Sequence, residues 1–474
     1  MTGLRQKKSW RAALTRHHLA SALSALLLAS APAQAAPAEE TRPRILLISD
    51  IGNEPDDSES FVRFLLYANH FDIQGLVAST STHQRDKVQP ELFRERIAAY
   101  GKVLPNLRRH ASGWPAAERL QSLVRSGVAR YGMAGVGAGK DTPASRLIVE
   151  AVDAGDRPLF VPVWGGAADL AQALWTARAT RSPARLAAFV SKLRVYSISD
   201  QDDAGPWIRR NFPSLFWIAS IHGWNQYGMA AWTGISRDVM LPEKWPAAET
   251  VTNAWLEQHI RKGPLGSLYP PHLFIMEGDT PSFLSLIPNG LNDPERPDHG
   301  GWGGRYVKSD LAAGHYGDSV DSFVDESGNR HSSNQATIFR WRRAFQNDFA
   351  ARIQWSLTPD YIRANHAPEP VVNGAGGHRP LRISARPGQR IQLDAAGSGD
   401  PDGQALTWRW WQYAEPSGGF RPPSIEIVGS SASKASFVVP NLDAPTEIHV
   451  ILEATDDGTP ALTRYRRVIV AVRP

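Results

Sequence analysis

The sequence predicts an α/β domain, a mostly parallel sheet flanked by helices, followed by a small all-β immunoglobulin-like sandwich. Three observations predict it. Short apolar runs at Ile45–Ile48, Pro158–Trp164 and Leu193–Ser199 each lead into a polar loop and then a helical pattern. Repeated strand–loop–helix units imply a parallel sheet covered on both faces. Near the end the pattern changes to seven short strands in about 100 residues, separated by turn signals, as in a β-sandwich. A stretch rich in Pro, Gly and Asn near residues 364–380 separates the two patterns. The expected domains are therefore residues 43–363 and residues 378–474.

Residues 1–36 read as a secretory signal peptide. Arg5, Lys7, Lys8, Arg11 and Arg16 precede the apolar run Leu19–Ala31, and Ala33, Gln34 and Ala35 form a small-residue cleavage signature. The run is too short to span a bilayer, and the sequence offers no longer one. The chain is expected to be exported, periplasmic or extracellular, after cleavage near Ala35–Ala36. Without this segment the 52 basic and 47 acidic residues become 47 of each. Such a balance argues against a nucleic-acid-binding surface. The absence of cysteine leaves stability to a core that a chain of this length can bury.

The first unit carries the densest chemistry. After strand Ile45–Ile48 and before helix Ser58–Ala68 lie Asp50, Asn53, Glu54, Asp56 and Asp57, four carboxylates in eight residues. Open α/β sheets place ligands at the carboxyl ends of strands. Like charges this dense are tolerable around a hard cation with oxygen ligands, Ca²⁺ or Mg²⁺. The acidic preference of a helix N-terminus accounts for Asp56 and Asp57, but poorly for Asp50, which comes straight off the strand.

The segment SDIGNEPDD resembles the N-terminal signature of the nucleoside hydrolase superfamily. It is closer still to the nucleoside hydrolase-like domain of secreted proteins described as cellulose-binding. In the wider family the run is Asp-x-Asp-x-Gly-x-Asp-Asp. Here Ile48 stands at the first Asp, Asp50 and Gly52 match the second Asp and the Gly, and Asn53–Glu54 is an insertion before Asp56–Asp57. The resemblance implies a Ca²⁺ site of Asp50, Asp57 and a late acidic residue, Asp279 first and Glu277 second. It also implies sugar contacts by Asp56, with Asn53 and Glu54 beside it.

The remaining elements follow in order. Asp72–Thr80 is a second strand, and Ser79–His83 follows at its carboxyl end. Residues 91–126 alternate helical patterns with breaks. Gly132–Gly139 is Gly-rich but lacks the Lys-Ser/Thr of a P-loop and reads as a loop. Asp141–Gly155 is a helix with Pro143 early. The turn Gly165–Asp169 before helix Leu170–Arg178 resembles the family's Gly-Pro-Leu-Thr-Asn turn, which implies that its backbone borders the metal; Asp169 is equally a helix cap. After helix Ala184–Lys192 and strand Leu193–Ser199 come Asp200, Gln201, Asp202 and Asp203. The family places sugar-hydroxyl ligands there, so Asp200 and Asp203 are substrate candidates. Trp207 reads equally as a sugar platform and as core.

Strand Phe216–Ser220 leads to His222, Trp224 and Asn225, and residues 223–272 are loop-rich and aromatic. A strand is expected at Leu273–Met276, with Asp279 also able to cap the helix near Phe283. The Gly/Pro-rich loop Pro288–Tyr306 carries Asn289, Asn292, Asp293, His299, Trp302 and Arg305. Long loops of this kind are more often functional than connecting, and it reads as a wall of the cleft, with Asn289 and Trp302 as substrate contacts. Residues 307–333 read as a polar insertion and Gln335–Ser356 as one amphipathic helix. In the sandwich, LDAAGSGDPDGQALTWRWWQY resembles PKD and cadherin-like modules. Asp400, Asp402, Asp456 and Asp457 read as turn chemistry in preference to a second Ca²⁺ site. Trp408 and Trp410 share one strand face, Trp411 and Tyr413 the other; one pair is core and the other a potential carbohydrate platform.

The expected function is a secreted, metal-dependent hydrolase of N- or O-glycosyl bonds. Its substrate is a carbohydrate or glycoside, attacked at the anomeric carbon by a Ca²⁺-bound water, with Asp50 as base. No leaving-group acid stands out beyond His299 and His222. The alternative is a non-catalytic cellulose- or polysaccharide-binding protein on the same scaffold.

Overall fold

The computed structural model describes residues 41–220, 224–236, 245–310, 312–418 and 422–474. The expected signal segment and His222 lie outside them, as do the side chains of Trp224 and Asn225. Among the described residues no helix is long and apolar enough to cross a membrane.

The first half alternates strand and helix: β1 (Arg44–Ser49), α1 (Pro55–Leu66), β2 (Asp72–Ala78), α2 (Pro90–His110), α3 (Ala117–Leu123), β3 (Val124–Ser126), α4 (Pro143–Asp153), β4 (Leu159–Val163), α5 (Ala168–Thr180), α6 (Pro183–Ser191), β5 (Leu193–Ser197), α7 (Ala204–Asn211) and β6 (Phe216–Ala219). Helices α8 (Asn253–His259), α9 (Gly263–Gly266) and α10 (Pro281–Leu284) follow, then β7 (Tyr306–Lys308), β8 (His315–Asp318), β9 (Asp321–Val324), β10 (Arg330–Ser333), α11 (Ala336–Phe339) and α12 (Arg342–Leu357).

The main sheet has the order β3-β2-β1-β4-β5-β6-β8-β7. Its strands pair in parallel, save β7 against β8. Every residue of β1 is buried, because helices cover both faces. Ile45 and Leu47 join the core that includes residues of α1, α2 and α12; Leu46 and Ile48 join the core that includes α4, α5 and α7. Successive strand side chains point to opposite faces, which makes this division. The strand order reverses between β1 and β4. In open α/β sheets the crevice at such a switch point, outside the carboxyl ends of the strands, takes the ligand.

Local chemistry sets the helix starts. Pro55 opens α1, and Asp56 and Asp57 in its first turn oppose the positive end of the helix dipole. Thr142 caps α4 through a reciprocal box with Ser145. Helix α2 runs through Pro105 without ending, its face of Phe93, Ile97, Tyr100, Val103, Leu104 and Leu107 buried throughout.

Several expectations are corrected. Residues 273–276 form no strand: Leu273 and Phe274 are exposed and follow the Pro270–Pro271 pair. The single helix expected over 335–356 is broken into α11 and α12 at Arg340–Trp341, where Arg340 turns to Asp321. Residues 307–333, read as a polar insertion, carry regular structure. They supply the sheet edge β7–β8 and the hairpin β9–β10.

The sandwich comprises β11 (Leu381–Ala385), β12 (Arg390–Asp394), β13 (Leu406–Tyr413), β14 (Lys434–Val438), β15 (Thr446–Asp456) and β16 (Thr463–Val472). One sheet has the order β11-β16-β15-β13 and the other pairs β12 with β14. Of the seven strands the sequence pattern predicts here, the one over Ile425–Val428 is reduced to a bridge between Val428 and Ser436. Trp410 lies in the sandwich core with Trp408 packed against it. Trp411 and Tyr413 instead face α12's start: Trp411 packs 5.7 Å from Trp341, and Tyr413 donates to Asp321 at 2.5 Å. The second face is thus an interdomain contact, not an open platform. The backbone of β16 continues this contact, with Tyr465 N bonded to Asn289 O and Arg467 N to Gly290 O.

Candidate functional site

Four buried carboxylates converge at the switch point. Asp50 leaves the end of β1, Asp56 and Asp57 open α1, and Asp279 comes from the turn before α10; each is at most 9% exposed. Ligand oxygens of Asp56, Asp57 and Asp279 lie within 4.8 Å of one another. Among the described residues no Lys or Arg pairs with any of the four.

Each carboxylate is held by its own support. The Ser49 hydroxyl donates to Asp57 Oδ1 and its oxygen accepts from Ile51 N at 3.0 Å. Asp57 N donates to Asp56 Oδ1 at 3.0 Å. The Ser81 hydroxyl bonds the Asp50 carboxylate, and Gln84 Nε2 donates to Asp50 O at 3.1 Å. Gly52 sits at φ 105°, where Gln89 Nε2 donates to its carbonyl at 3.0 Å. Only glycine adopts that backbone without strain.

The Asp279 turn is anchored more elaborately. Glu277 has φ 56°, a left-handed conformation uncommon outside glycine. Its N–H donates to Glu59 Oε2 at 2.9 Å. Its carboxylate accepts from Arg63 Nη2 at 3.0 Å, Tyr269 at 2.7 Å and Thr280 Oγ1 at 2.8 Å. Trp164 Nε1 donates to Ser282 Oγ, which donates to Asp279 O. Asp279 Oδ2 itself is buried without a hydrogen-bond partner among the described residues. Glu277 is therefore a scaffold for the turn and not a ligand.

Two glycines let the second switch-point strand approach. A Cβ at Gly165 would lie 2.4 Å from Asp50 Oδ1, and one at Gly166 would lie 2.4 Å from Asp202 Oδ2. Trp164 N bonds Ile48 O, and Gly166 N bonds Thr80 O, so the β4 turn is stitched to both neighbours. Gly278 brings its turn against Asp56 and Trp232. Tyr227 meets Trp232 edge-on at 5.8 Å and forms the adjoining aromatic wall.

The electrostatics follow from burial. Burial pushes Asp50 up to about 6, with Glu54 adding to the rise and Ser81 and His83 opposing it. Burial raises Asp56 well above the ordinary range, helped by Glu54 and Asp50. Asp57 and Asp279 are raised by burial and then by their neighbouring carboxylates. A cluster so raised, with an orphaned inward oxygen and no Lys or Arg partner among the described residues, fits a hard divalent cation. Asp57 and Asp279 would hold it, with Asp56 completing the tightest three and Asp50 adjacent.

The other sequence candidates divide clearly. Glu54, half-buried, precedes α1 and acts electrostatically on all four carboxylates; Asn53 beside it is exposed. Asp200 is tied to Arg209 by two bonds of 2.8 and 2.6 Å. Asp203 accepts from Met133 N at 2.8 Å and so fixes the Gly-rich loop. Trp207 packs on Phe212, with Arg178 5.1 Å from its ring. Asn289 is fully buried, capping Leu291 N and Asn292 N, and Trp302 is fully buried beside Tyr465. These five make their contacts outside the cluster, though the charge of Asp200 reaches Tyr227 in the adjoining wall; the loop Pro288–Tyr306 reads as a cleft wall but serves the domain junction. Asp169 neither caps α5 nor faces the cluster; it accepts from Val128 N and Thr142 Oγ1.

His299 also lies in the junction, packed at 4.7 Å against His449. With Glu447 these histidines form a compact donor group. Arg467, a donor only, binds His449 Nδ1 at 3.1 Å. The neutral ring then carries its proton on Nε2, the atom facing Glu447, which removes it as a ligand.

The loop Ser79–His83, placed by the sequence at a strand's carboxyl end, does reach the site through Ser81, whereas sequence reasoning passed over Ser49, Gln84 and Trp232 and did not select Asp202. Asp202 is buried, raised to about 6 by burial, and borders Gly166. Its signal was present, since it falls between two residues that were singled out.

An open parallel sheet with an acid-lined switch point, followed by a sandwich, defines a nucleoside hydrolase-like α/β protein with an appended β domain. The family described as cellulose-binding Sde182, nucleoside hydrolase-like domain, matches residues 44–306, and the cellulose-binding protein Sde0182 C-terminal domain matches residues 390–472. The chain belongs to this family. A nucleoside hydrolase-related protein from Saccharophagus degradans, described as associated with carbohydrate metabolism, is 34% identical. The match covers 91% of this chain and 100% of that one, with a TM-score of 0.78. The effector XopQ, solved with adenosine diphosphate ribose, is 12% identical over 67% of this chain and 94% of its own, with a TM-score of 0.33. The effector XOO4466 is 10% identical over 59% and 88%, with a TM-score of 0.35. Comparison with curated proteins yields no match.

Proposed function

We propose that the chain is an exported, Ca²⁺-dependent hydrolase of glycosyl bonds in a carbohydrate-type substrate. The observation that carries this reading is the group of Asp56, Asp57 and Asp279 oxygens within 4.8 Å, buried with no Lys or Arg partner among the described residues. When bound, the cation supplies charge neutralisation and Lewis acidity toward water and sugar hydroxyls. Asp50, raised to about 6, is poised as a general base near neutral pH. It takes a proton from water as the water oxygen bonds the anomeric carbon and the glycosyl bond breaks; the departing group is protonated from solvent. Asp56 accepts a hydrogen bond from a sugar hydroxyl. The carboxylates stabilise the positive charge that develops on the sugar, and Trp232 and Tyr227 offer it apolar faces.

A second reading is a polysaccharide binder without turnover. It is favoured by Ile48, packed into the core where the wider family has its first Asp, and by the family's description. The two separate in one experiment. Calorimetric titration with Ca²⁺ is run on the protein and on Asp57→Ala, followed by hydrolysis assays on nucleosides and a glycoside panel and by sedimentation with insoluble cellulose. Loss of one Ca²⁺ site in the variant, with metal-dependent turnover, supports the hydrolase. Cellulose retention with neither Ca²⁺ binding nor turnover supports the binder.

A further inference from the structure

We propose that His110 and His366 form an acid-released latch at the domain junction: the two rings hold one proton between them, and a second proton breaks the joint. His110 ends α2, His366 lies in the segment that leaves α12, and both are buried. His110 Nδ1 lies 3.0 Å from His366 Nε2. The outer nitrogen of each ring is already engaged. His110 Nε2 lies 2.8 Å from Thr358 O. His366 Nδ1 lies 3.0 and 3.2 Å from the two carboxylate oxygens of Asp402 in the sandwich, and Asp402 also accepts from His366 N at 2.7 Å.

Counting protons fixes what the pair can hold. A carbonyl oxygen only accepts, so His110 Nε2 carries a hydrogen; the Asp402 carboxylate likewise takes one from His366 Nδ1. A neutral imidazole owns a single N–H, so both rings have now spent theirs. The inner nitrogens would then face each other as bare acceptors. One added proton between them completes the chain of hydrogen bonds from Thr358 O through His110 and His366 to Asp402, and Asp402 balances its charge. A second added proton has no place, because it would set two N–H groups head to head across the 3.0 Å gap. Two separate histidines each take a proton in acid; this pair takes one for both rings.

Aromatic packing keeps the rings in register. Trp355 of α12 stacks on His110 at 5.7 Å and lies 5.1 Å from His366, and Tyr361 stacks on His366 at 3.7 Å, 5° from parallel. The ionisable groups that face the pair are Arg109 on α2, Asp360 and Tyr361 after α12, and Asp400 and Asp402 on the sandwich turn; α12 supplies the uncharged Trp355. Burial pulls both rings below the ordinary histidine range. At His110 the Thr358 carbonyl, Asp360 and Asp402 oppose the fall and Arg109 adds to it; at His366 Asp402 and Asp400 oppose it and His110 adds to it. A histidine lowered in the folded state contributes stability above its unfolded pKa, about 6.5, and that stability is lost as pH falls through the folded value. Tyr361, Asn365 and Asp402 line an open cleft, which gives the acid proton its route. Asn365, beside the latch, binds Asp456 and Pro460 O of the sandwich, so release of this segment loosens a tether between the domains.

The test is hydrogen–deuterium exchange of the full chain between about pH 7 and pH 5, above the ordinary aspartate range. Exchange is corrected for its intrinsic pH dependence and followed over residues 358–366. Opening of this segment is expected to rise about tenfold per pH unit below about pH 6, the slope of a one-proton deficit. In His110→Asn the amide can donate to His366 Nε2 or accept from it, so it follows the protonation of His366 and the slope should vanish. Comparison with this variant cancels any contribution of the switch-point carboxylates, whether or not they bind a cation. Asp402→Asn removes the balancing charge and should move the onset of opening to higher pH. The proposal is overturned if opening does not change over the interval, if His110→Asn is as steep as the unaltered protein, or if Asp402→Asn leaves the onset where it was.

Discussion

Gly165 and Asp50 are in contact that tolerates no side chain: a Cβ at residue 165 would fall 2.4 Å from Asp50 Oδ1 and 2.7 Å from its Cγ. Asp50 is itself held by Ser81 and by the strand it leaves, so the carboxylate must move. Gly165→Ala is expected to lower kcat/KM on the substrate at least 100-fold, since misplacing a reacting group by about 1 Å costs on that order. Ca²⁺ affinity should fall much less, because Asp56, Asp57 and Asp279 are untouched. Steady-state kinetics beside calorimetry checks the split. Equal losses in both would place Asp50 among the cation's ligands.

The cluster makes stability depend on pH and on cation together. Asp50 is raised to about 6 by burial, and Asp56, Asp57 and Asp279 are raised further by burial and mutual repulsion. The cation-free folded chain therefore keeps protons that the unfolded chain has released. Its stability is highest below the ordinary aspartate pKa, about 4, and falls as pH rises through about 6 and beyond. In EDTA, Tm should drop between pH 5 and 8. Ca²⁺ competes with those protons, so the Tm gain it gives should grow over the same interval. A flat EDTA profile, or a Ca²⁺ gain independent of pH, would contradict the electrostatic account.

What was legible in the sequence follows a physical division. Strands such as Ile45–Ile48 and Leu193–Ser199 are short apolar runs buried on both faces, so local pattern suffices to find them. Asp50, Asp56 and Asp57 were legible because strand end and helix start hold them within one loop. Asp279 lies far along the chain and was reached only through resemblance. Asn289 and Trp302 misled because a long Gly/Pro loop looks the same whether it lines a cleft or docks a second domain. That distinction is made by Tyr465 and Arg467, whose backbone bonds to residues 289 and 290 no local pattern encodes. The failed strand at 273–276 has a similar cause: an apolar run was read as buried although Leu273 and Phe274 face solvent.

Asp321 fastens the two domains and should give the protein an acid-sensitive limb. Its carboxylate meets Arg305 at 2.7 Å, Arg340 at 2.8 Å and the Tyr413 hydroxyl at 2.5 Å. Burial alone would raise its pKa, but the Arg340 and Arg305 charges outweigh it and hold the group below the ordinary value. A lowered carboxylate stabilises the fold above its unfolded pKa, near 4, and the contribution is lost as pH falls through the folded value. Asp321→Asn leaves two buried guanidinium groups with only the more distant Glu415 at 3.8 Å from Arg340 and should cost about 3–5 kcal/mol at pH 7. Urea denaturation at pH 7 and pH 3 checks this: the gap between the protein and the variant should narrow at pH 3.

Trp411 separates a carbohydrate platform from an interdomain joint. Its ring packs on Trp341 at 5.7 Å with the Arg340 guanidinium 4.8 Å away, and its Nε1 donates to Glu453 at 3.1 Å. A platform residue presents an open face to a sugar, and its removal lowers affinity while leaving stability intact. A joint residue does the reverse. Trp411→Ala is expected to destabilise the protein by about 2–4 kcal/mol, from lost aromatic packing and a lost cation–π contact. Retention on insoluble cellulose, measured well below the variant's Tm, should stay unchanged. An unaltered Tm with lost retention would return Trp411 to the role its alternating position on the strand first suggested, and would require that face to open in solution.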